Sequence, residues 1–294
     1  MYGPKKQNTV RLFVGLMVAT VASLLAARSS HASVINTVDS LNWAGYAATT
    51  SGSNAFSNVS GDWTIPTVST AGGSNSAVAF WVGLDGFNSS TVEQIGVAAQ
   101  VSHKRVQYYA WYEMYPNSAY QIPMSVAPGD QISAAVTYVS TNEYQLALSD
   151  LSTGQSYSTL QSSSSGLRSS AEWITEAPSS GSQILPLADF GTVNFINSSA
   201  TLDGGTPGSI SAFTNTAIDL TASSGLSATT SALSNYGQDF SVSVAGGSSG
   251  GGGGSGHHGK LSTATVVPEP SALLLLCIGG TFLLGLGRRQ GKRC

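Results

Sequence analysis

The chain has 294 residues, 12 Lys+Arg against 15 Asp+Glu, a formal net charge of −3, and 9% charged against 41% hydrophobic residues. The charges are uneven: residues 33–245 hold only Lys104, Arg105 and Arg168 against 14 acids (all 15 but Glu269), a net of −11. Three bases cannot neutralise a run of phosphates, which excludes nucleic-acid binding; Cys277 and Cys294 are the only cysteines, so this body has no disulfide and no thiolate metal site.

Residues 1–32 read as a secretory signal. Lys5, Lys6 and Arg11 form a basic start, residues 12–27 an apolar run, and Ser30-His31-Ala32 a small-x-small cleavage site, which puts the mature start at Ser33. From 33 to 245 no 3.6-residue period stands out. Short alternating runs bounded by Gly, Ser, Asn and Pro predict strands over 77–84, 105–115, 131–139, 144–151, 172–176 and 240–244. Many short strands over one unrepeated stretch predict an all-β domain, an antiparallel two-sheet sandwich or jelly roll.

The period of two assigns faces. On 105–115, Val106, Tyr108, Ala110, Tyr112 and Met114 share one face and read as core, while Tyr109, Trp111, Glu113 and Tyr115 share the other. The second set is a row of aromatics around one carboxylate, suited to a groove that grips an extended chain; the competing reading is a core face against a second sheet. An unpaired carboxylate in mid-row is costly to bury, which argues against the latter. On 172–176, Glu172 and Glu176 share a face but lie ~13 Å apart at ~3.3 Å per residue, too far for the ~5 Å or ~6.5–9.5 Å carboxyl pairs of glycosidases. Any partner must come from another strand, and the segment after Trp81, from Asp85 to Gly96, contains Gln94.

From 246 to 266 the chain reads as a Gly/Ser-rich linker, and His257-His258 within it as incidental. Then come Val267-Pro268-Glu269-Pro270-Ser271, a 16-residue apolar run over 272–287 and Arg288-Arg289. This order resembles the PEP-CTERM sorting tail of Gram-negative bacteria. The resemblance implies a short transmembrane helix within 267–294, processing by an exosortase-type enzyme, and delivery to the envelope, the extracellular surface or exopolysaccharide. A retained C-terminal anchor is the alternative.

Five motifs carry a second resemblance: Asn42-Trp43-Ala44-Gly45-Tyr46, Trp81-Val82-Gly83-Leu84-Asp85-Gly86, Glu93-Gln94-Ile95-Gly96, Ala110-Trp111-Tyr112-Glu113-Met114-Tyr115-Pro116 and Ala171-Glu172-Trp173-Ile174-Thr175-Glu176. In this order, from about residue 41 to 195 and more weakly to 244, the chain resembles the glutamic peptidases, or eqolisins. The resemblance implies a β-sandwich with one sheet bent into a concave substrate groove, and an acid-active endopeptidase that needs no metal or cofactor. It implies a catalytic pair at Gln94 and Glu176, groove positions at Trp111, Glu113 and Tyr115, and Trp81 and Asp85 close to the glutamine. Glu172 is the runner-up for the acid. Three departures stand out. Fungal members carry a long pro-segment and disulfides, whereas here about nine residues separate Ser33 from Asn42 and the body lacks Cys; and Ala177-Pro178 follow Glu176 where an acidic residue is frequent.

The pair makes chemical sense. One carboxyl can take a proton from water and pass it to the leaving amine, while a glutamine NH2 donates to an oxyanion at any pH. Other protease chemistries lack residues: His103 is the body's one histidine, and there is no Asp-Thr-Gly, Asp-Ser-Gly or His-Glu-x-x-His. Two rival readings are an envelope-tethered sandwich that binds peptide or glycan without catalysis, and a jelly-roll glycosidase pairing Glu113 with Glu176. Having few salt bridges to lose, the body is expected to keep its stability between pH 6 and pH 4.

Overall fold

A computed structural model describes residue 3 and residues 37–50, 55–71, 75–222 and 225–245. The expected signal, the linker, the sorting tail and its helix fall outside the described residues. Among the described residues, no helix is long and apolar enough to cross a membrane.

Short runs of β-branched and aromatic residues separated by Gly, Ser and Asn turns make strands, and they do so almost throughout. The first group is β1 (Thr37–Ser40), β2 (Trp43–Thr49), β3 (Phe56–Thr64), β4 (Ser76–Leu84), β5 (Val92–Ser102), β6 (Arg105–Tyr115) and β7 (Tyr120–Gln121). The second is β8 (Gln131–Ser140), β9 (Glu143–Asp150), β10 (Gln155–Ser162), β11 (Ser170–Glu176), β12 (Ser179–Ser180) and β13 (Gln183–Ile184). The last is β14 (Thr192–Leu202), β15 (Gly208–Ser209), β16 (Thr214–Leu220), β17 (Ser227–Thr230) and β18 (Phe240–Ala245). The six expected strands are all present within a residue or two of their expected ends.

One antiparallel ladder runs β10-β9-β8-β3-β14-β18-β17-β16-β2-β11-β4-β5-β6-β7. The two layers of the sandwich are therefore one continuous sheet, curled so that β4 and β5 pack over β3, β8 and β9. Between the layers lie Phe80, Val82, Ile95 and Val97 from one side and Ile132, Val136, Leu146 and Leu148 from the other, all buried. Trp173 fastens the layers: its indole is fully buried and donates through Nε1 to the Ser60 carbonyl at 2.7 Å.

The opposite face of the β2-β11-β4-β5-β6 half carries a second apolar cluster built on Trp43, Trp81, Trp111 and Ile174. The split expected for β6 holds: Ala110 and Met114 join the interlayer core, with Val106, Tyr108 and Tyr112 packed on it. Trp111, Tyr109 and Tyr115 belong to the other cluster.

Candidate active site

Cross-strand register brings the site together. Gln94 on β5 lies opposite Gly83 on β4 and opposite Glu113 on β6, and Glu172 on β11 is opposite the same Gly83. One step along, Ile174, Trp81, Gly96 and Trp111 form the next row; one further, Glu176 faces Ala79. Directly paired residues project to one side of a sheet, so Gln94, Glu113, Glu172, Glu176, Trp81 and Trp111 share this face. The floor needs its glycines. A Cβ on Gly96 would stand 2.1 Å from the Phe80 carbonyl oxygen and 2.6 Å from the Trp81 Cβ. One on Gly83 would stand 3.0 Å from the Trp81 ring and 3.2 Å from the Gln94 Cβ.

Gln94 donates through Nε2 to Glu113 Oε2 at 2.7 Å. Trp81 donates through its indole to Glu176 Oε2 at 2.8 Å, and Asn42 Nδ2 donates to Glu176 Oε1 at 3.5 Å. Trp43 packs edge-on against Trp81 with centroids 5.1 Å apart. Burial first, and then the charge of Glu176, push the Glu113 carboxyl up to about 9, against the opposing hydrogen bond from Gln94. The interaction of Glu113 with Glu176 joins the Gln94 pair to the Trp81 pair in one cluster. Gln94, Glu113 and Glu176 are all buried. Among the described residues, Gln94 Oε1, Glu113 Oε1 and the indole nitrogens of Trp43 and Trp111 have no hydrogen-bond partner. An amide oxygen, a carboxyl oxygen and two indole N–H groups thus stand unmet on one face, a mixture of donors and acceptors.

Glu172 lies in the Gly83, Gln94 and Glu113 row of this face, but the charges that act on it are those of Asp85 and Glu93. Glu172 is held well above the usual carboxylate range by complete burial, opposed by Ser170 and raised further by the charge of Asp85. Glu93, the neighbour of Gln94 on the opposite side of β5, adds to the rise of Glu172 and is itself pushed up to about 8 by burial and then Asp85. The carboxylate of Asp85, the residue expected close to Gln94, is held by the segment before β11. Oδ2 accepts from the amides of Leu167 and Arg168 at 2.7 and 2.6 Å. Oδ1 accepts from the amide and hydroxyl of Ser169 at 2.7 and 2.8 Å. It thereby pins the segment that leads into β11. Tyr115 flanks the Trp cluster, half-buried.

Asn42, Trp43 and Glu93 were not among the expected site residues. The Asn42-Trp43 pair was visible as a motif with no role attached; Glu93 gave no signal beyond standing next to Gln94. Among the described residues, no three His, Cys, Asp or Glu side chains are grouped to hold a metal ion.

A curled β-sandwich that collects carboxyl, amide and indole groups on one face has the equipment of a hydrolase working through a carboxyl. Comparison with known proteins agrees: residues 41–244 match the peptidase A4 family, and residues 266–293 match the PEP-CTERM protein-sorting motif. The chain therefore belongs to the peptidase A4 family, the eqolisins. It is 34% identical over 193 residues to aspergillopepsin-2 of Aspergillus niger, covering 58% of this chain and 67% of that one. It is 36% identical over 180 residues to scytalidopepsin B of Scytalidium lignicola, covering 57% and 66%. The chain thus spans about two thirds of the length of these relatives. A crystal structure of scytalido-glutamic peptidase with a transition state analog inhibitor matches with a TM-score of 0.59 at 28% identity, over 69% of this chain and 97% of that one. Aspergilloglutamic peptidase from Aspergillus niger matches with a TM-score of 0.50 at 31% identity, over 57% and 98%. Family membership makes this a peptidase sandwich rather than a non-catalytic peptide- or glycan-binding module or a glycosidase.

Proposed function

We propose that the protein is an acid-active endopeptidase in which Glu176 carries the proton and Gln94 holds the oxyanion. What supports this reading is the separation of the two coupled carboxyls. Glu113, pushed up to about 9, keeps its proton in acid, and Glu176 faces two N–H donors, from Trp81 and Asn42, which only an acceptor can satisfy. Glu176 as carboxylate takes a proton from water as the water oxygen bonds to the scissile carbonyl carbon. The carbonyl oxygen becomes an oxyanion and accepts from the second N–H of Gln94, whose first is given to Glu113. Glu176 then passes its proton to the amide nitrogen, the C–N bond breaks, and a carboxyl and an amine leave. Glu172, fully buried and under the charges of Asp85 and Glu93, takes no part.

The PEP-CTERM tail further supports export to the envelope of a Gram-negative bacterium, with an exosortase-type enzyme as processing partner. The full protein, incubated at about pH 3–4 with a denatured protein, is expected to cleave it in the presence of both pepstatin and EDTA. Gln94→Ala and Glu176→Gln variants with unchanged circular dichroism are expected to lose activity at least about 100-fold. Full activity in either variant would overturn the assignment.

A further inference from the structure

The hairpin that carries Gln94 and Glu113 also carries a polar recess on the same face. Its groove-side pairs run from Gln94 and Glu113 through Gly96 and Trp111, Ala98 and Tyr109, and Gln100 and Gln107, to Ser102 and Arg105. At the tip His103 and Lys104 close a two-residue turn with both φ angles positive, 51° and 62°. Around this end lies an open recess of about 410 Å³ lined by Gln100, Ser102, His103, Arg105 and Gln107. Every lining side chain is polar, whereas the rows nearer Gln94 are indole, phenol, glycine and alanine. The Ser102 hydroxyl lies 2.9 Å from His103 Nδ1.

The charge pattern is as pointed as the shape. Of the three cations in the body, Arg168 is committed. It makes a two-pronged contact with Asp203 at 2.6 and 2.9 Å and lies 3.7 Å over the Tyr138 ring. Lys104 and Arg105 are exposed and form no ion pair among the described residues. A body of net −11 places its two uncommitted cations at one end of the face that bears Gln94. Six residues along β5 separate Gln94 from Gln100, ~20 Å at ~3.3 Å each. An extended peptide laid along the hairpin advances at the same rise, so a side chain about six residues from the scissile bond arrives at the recess.

We propose that this recess is a remote substrate subsite for a carboxylate, the Asp or Glu side chain of an extended polypeptide whose scissile bond lies at Gln94. The proposal rests on the peptidase reading above. The Arg105 guanidinium matches a carboxylate with two parallel N–H groups, Lys104 adds a second charge, and the amides of Gln100 and Gln107 donate at the walls. No bond is made or broken there; the subsite sets which polypeptides are held.

The test uses the full protein and C-terminally amidated peptides that share one cleavage sequence. Each carries a single Asp, or Asn in its place, about five to seven residues from the scissile bond on the amino or the carboxyl side. A short peptide that ends before the recess is the control. At about pH 5, where a free Asp is ionised, and at low salt, KM for the Asp peptides on one side is expected to be about 3–10-fold below that of their Asn counterparts, with kcat nearly unchanged. The difference should vanish in a Lys104→Gln, Arg105→Gln double variant and in about 0.5 M NaCl, while the short peptide is cleaved equally by both proteins. Equal KM for Asp and Asn peptides on both sides, with cleavage intact, overturns the subsite and leaves the peptidase reading standing. Absence of cleavage of every peptide overturns both.

Discussion

Gln94 gives one of its amide hydrogens to Glu113 at 2.7 Å, and that contact fixes which way the amide faces: its oxygen turns away from Glu113 and has no partner among the described residues. With Glu113 holding a proton up to about pH 9, the contact is with a neutral acid, and a neutral amide can replace it. Glu113→Gln is therefore expected to keep kcat/KM within about threefold of the parent at pH 4. Glu113→Ala, which frees the Gln94 amide to rotate, should lose about 10–100-fold. Steady-state kinetics separate the two; a Gln variant as inactive as Glu176→Gln would mean that Glu113 titrates in the reaction.

Trp81 binds Glu176 through a single indole N–H at 2.8 Å while its ring covers Gly83. Trp81→Phe keeps most of the cover and removes the donor. A charge-assisted hydrogen bond contributes about 1.5–3 kcal/mol, so kcat/KM should fall about 10–100-fold. The acid limb of the pH–rate profile should move upward, because the lost donor favoured the charged form. An unmoved limb would assign Trp81 to packing alone.

Glu113, Glu93 and Glu172 make the protein most stable in acid. Folded, the first two hold protons to about 9 and about 8, and Glu172 to well above the usual range; unfolded, each releases its proton near 4.5. Between those values the native state binds more protons, so the stabilisation is complete below about pH 4.5 and is lost as the pH climbs through 8 and 9. Each group contributes a slope of up to about 1.4 kcal/mol per pH unit. Thermal melts should show Tm rising as pH falls from 8 to 5, and Glu93→Gln should flatten that rise. A Tm higher at pH 8 than at pH 5 would contradict this. It strengthens the expectation from charge counting alone, which was only that little stability is lost in acid.

Asp85 accepts three backbone amides and a hydroxyl from Leu167, Arg168 and Ser169. Asp85→Ala leaves those amides without a partner at the entry to β11, and is expected to cost at least about 3 kcal/mol by urea unfolding. Asp85→Asn should cost less, since one carbonyl oxygen remains. Neither should change the KM of molecules that still fold.

Strands with clean alternation, such as β6 and β8, could be read from the sequence. β5 and β2 could not: Val-Glu-Gln-Ile-Gly-Val-Ala-Ala and Trp-Ala-Gly-Tyr-Ala-Ala are buried on both faces, which erases the period of two. β10 fails for the opposite reason, being serine-rich and largely exposed. Gln94 and Glu176 stand out along the chain only through the motifs that contain them. Their junction could not be read there, because Glu113, costly to bury alone, becomes tolerable only through a register that places it opposite Gln94. Along the chain Glu172 and Glu176 look equivalent, and they share a face; only their neighbours tell them apart, Asp85 and Glu93 acting on the first and Trp81 donating to the second.

The insertion of β11 between β2 and β4 also dictates when cutting power arrives. Gln94 and Glu113 sit on neighbouring strands of one hairpin and meet early, since local pairings close with little loss of chain entropy. Glu176 comes from a strand some 60 residues further on, and its slot exists only after β2, from the start of the body, has been brought alongside. Under the proposed mechanism, a chain in which β11 is not yet seated holds the amide and lacks the base. On that reading, cutting would have to wait until this central strand is seated.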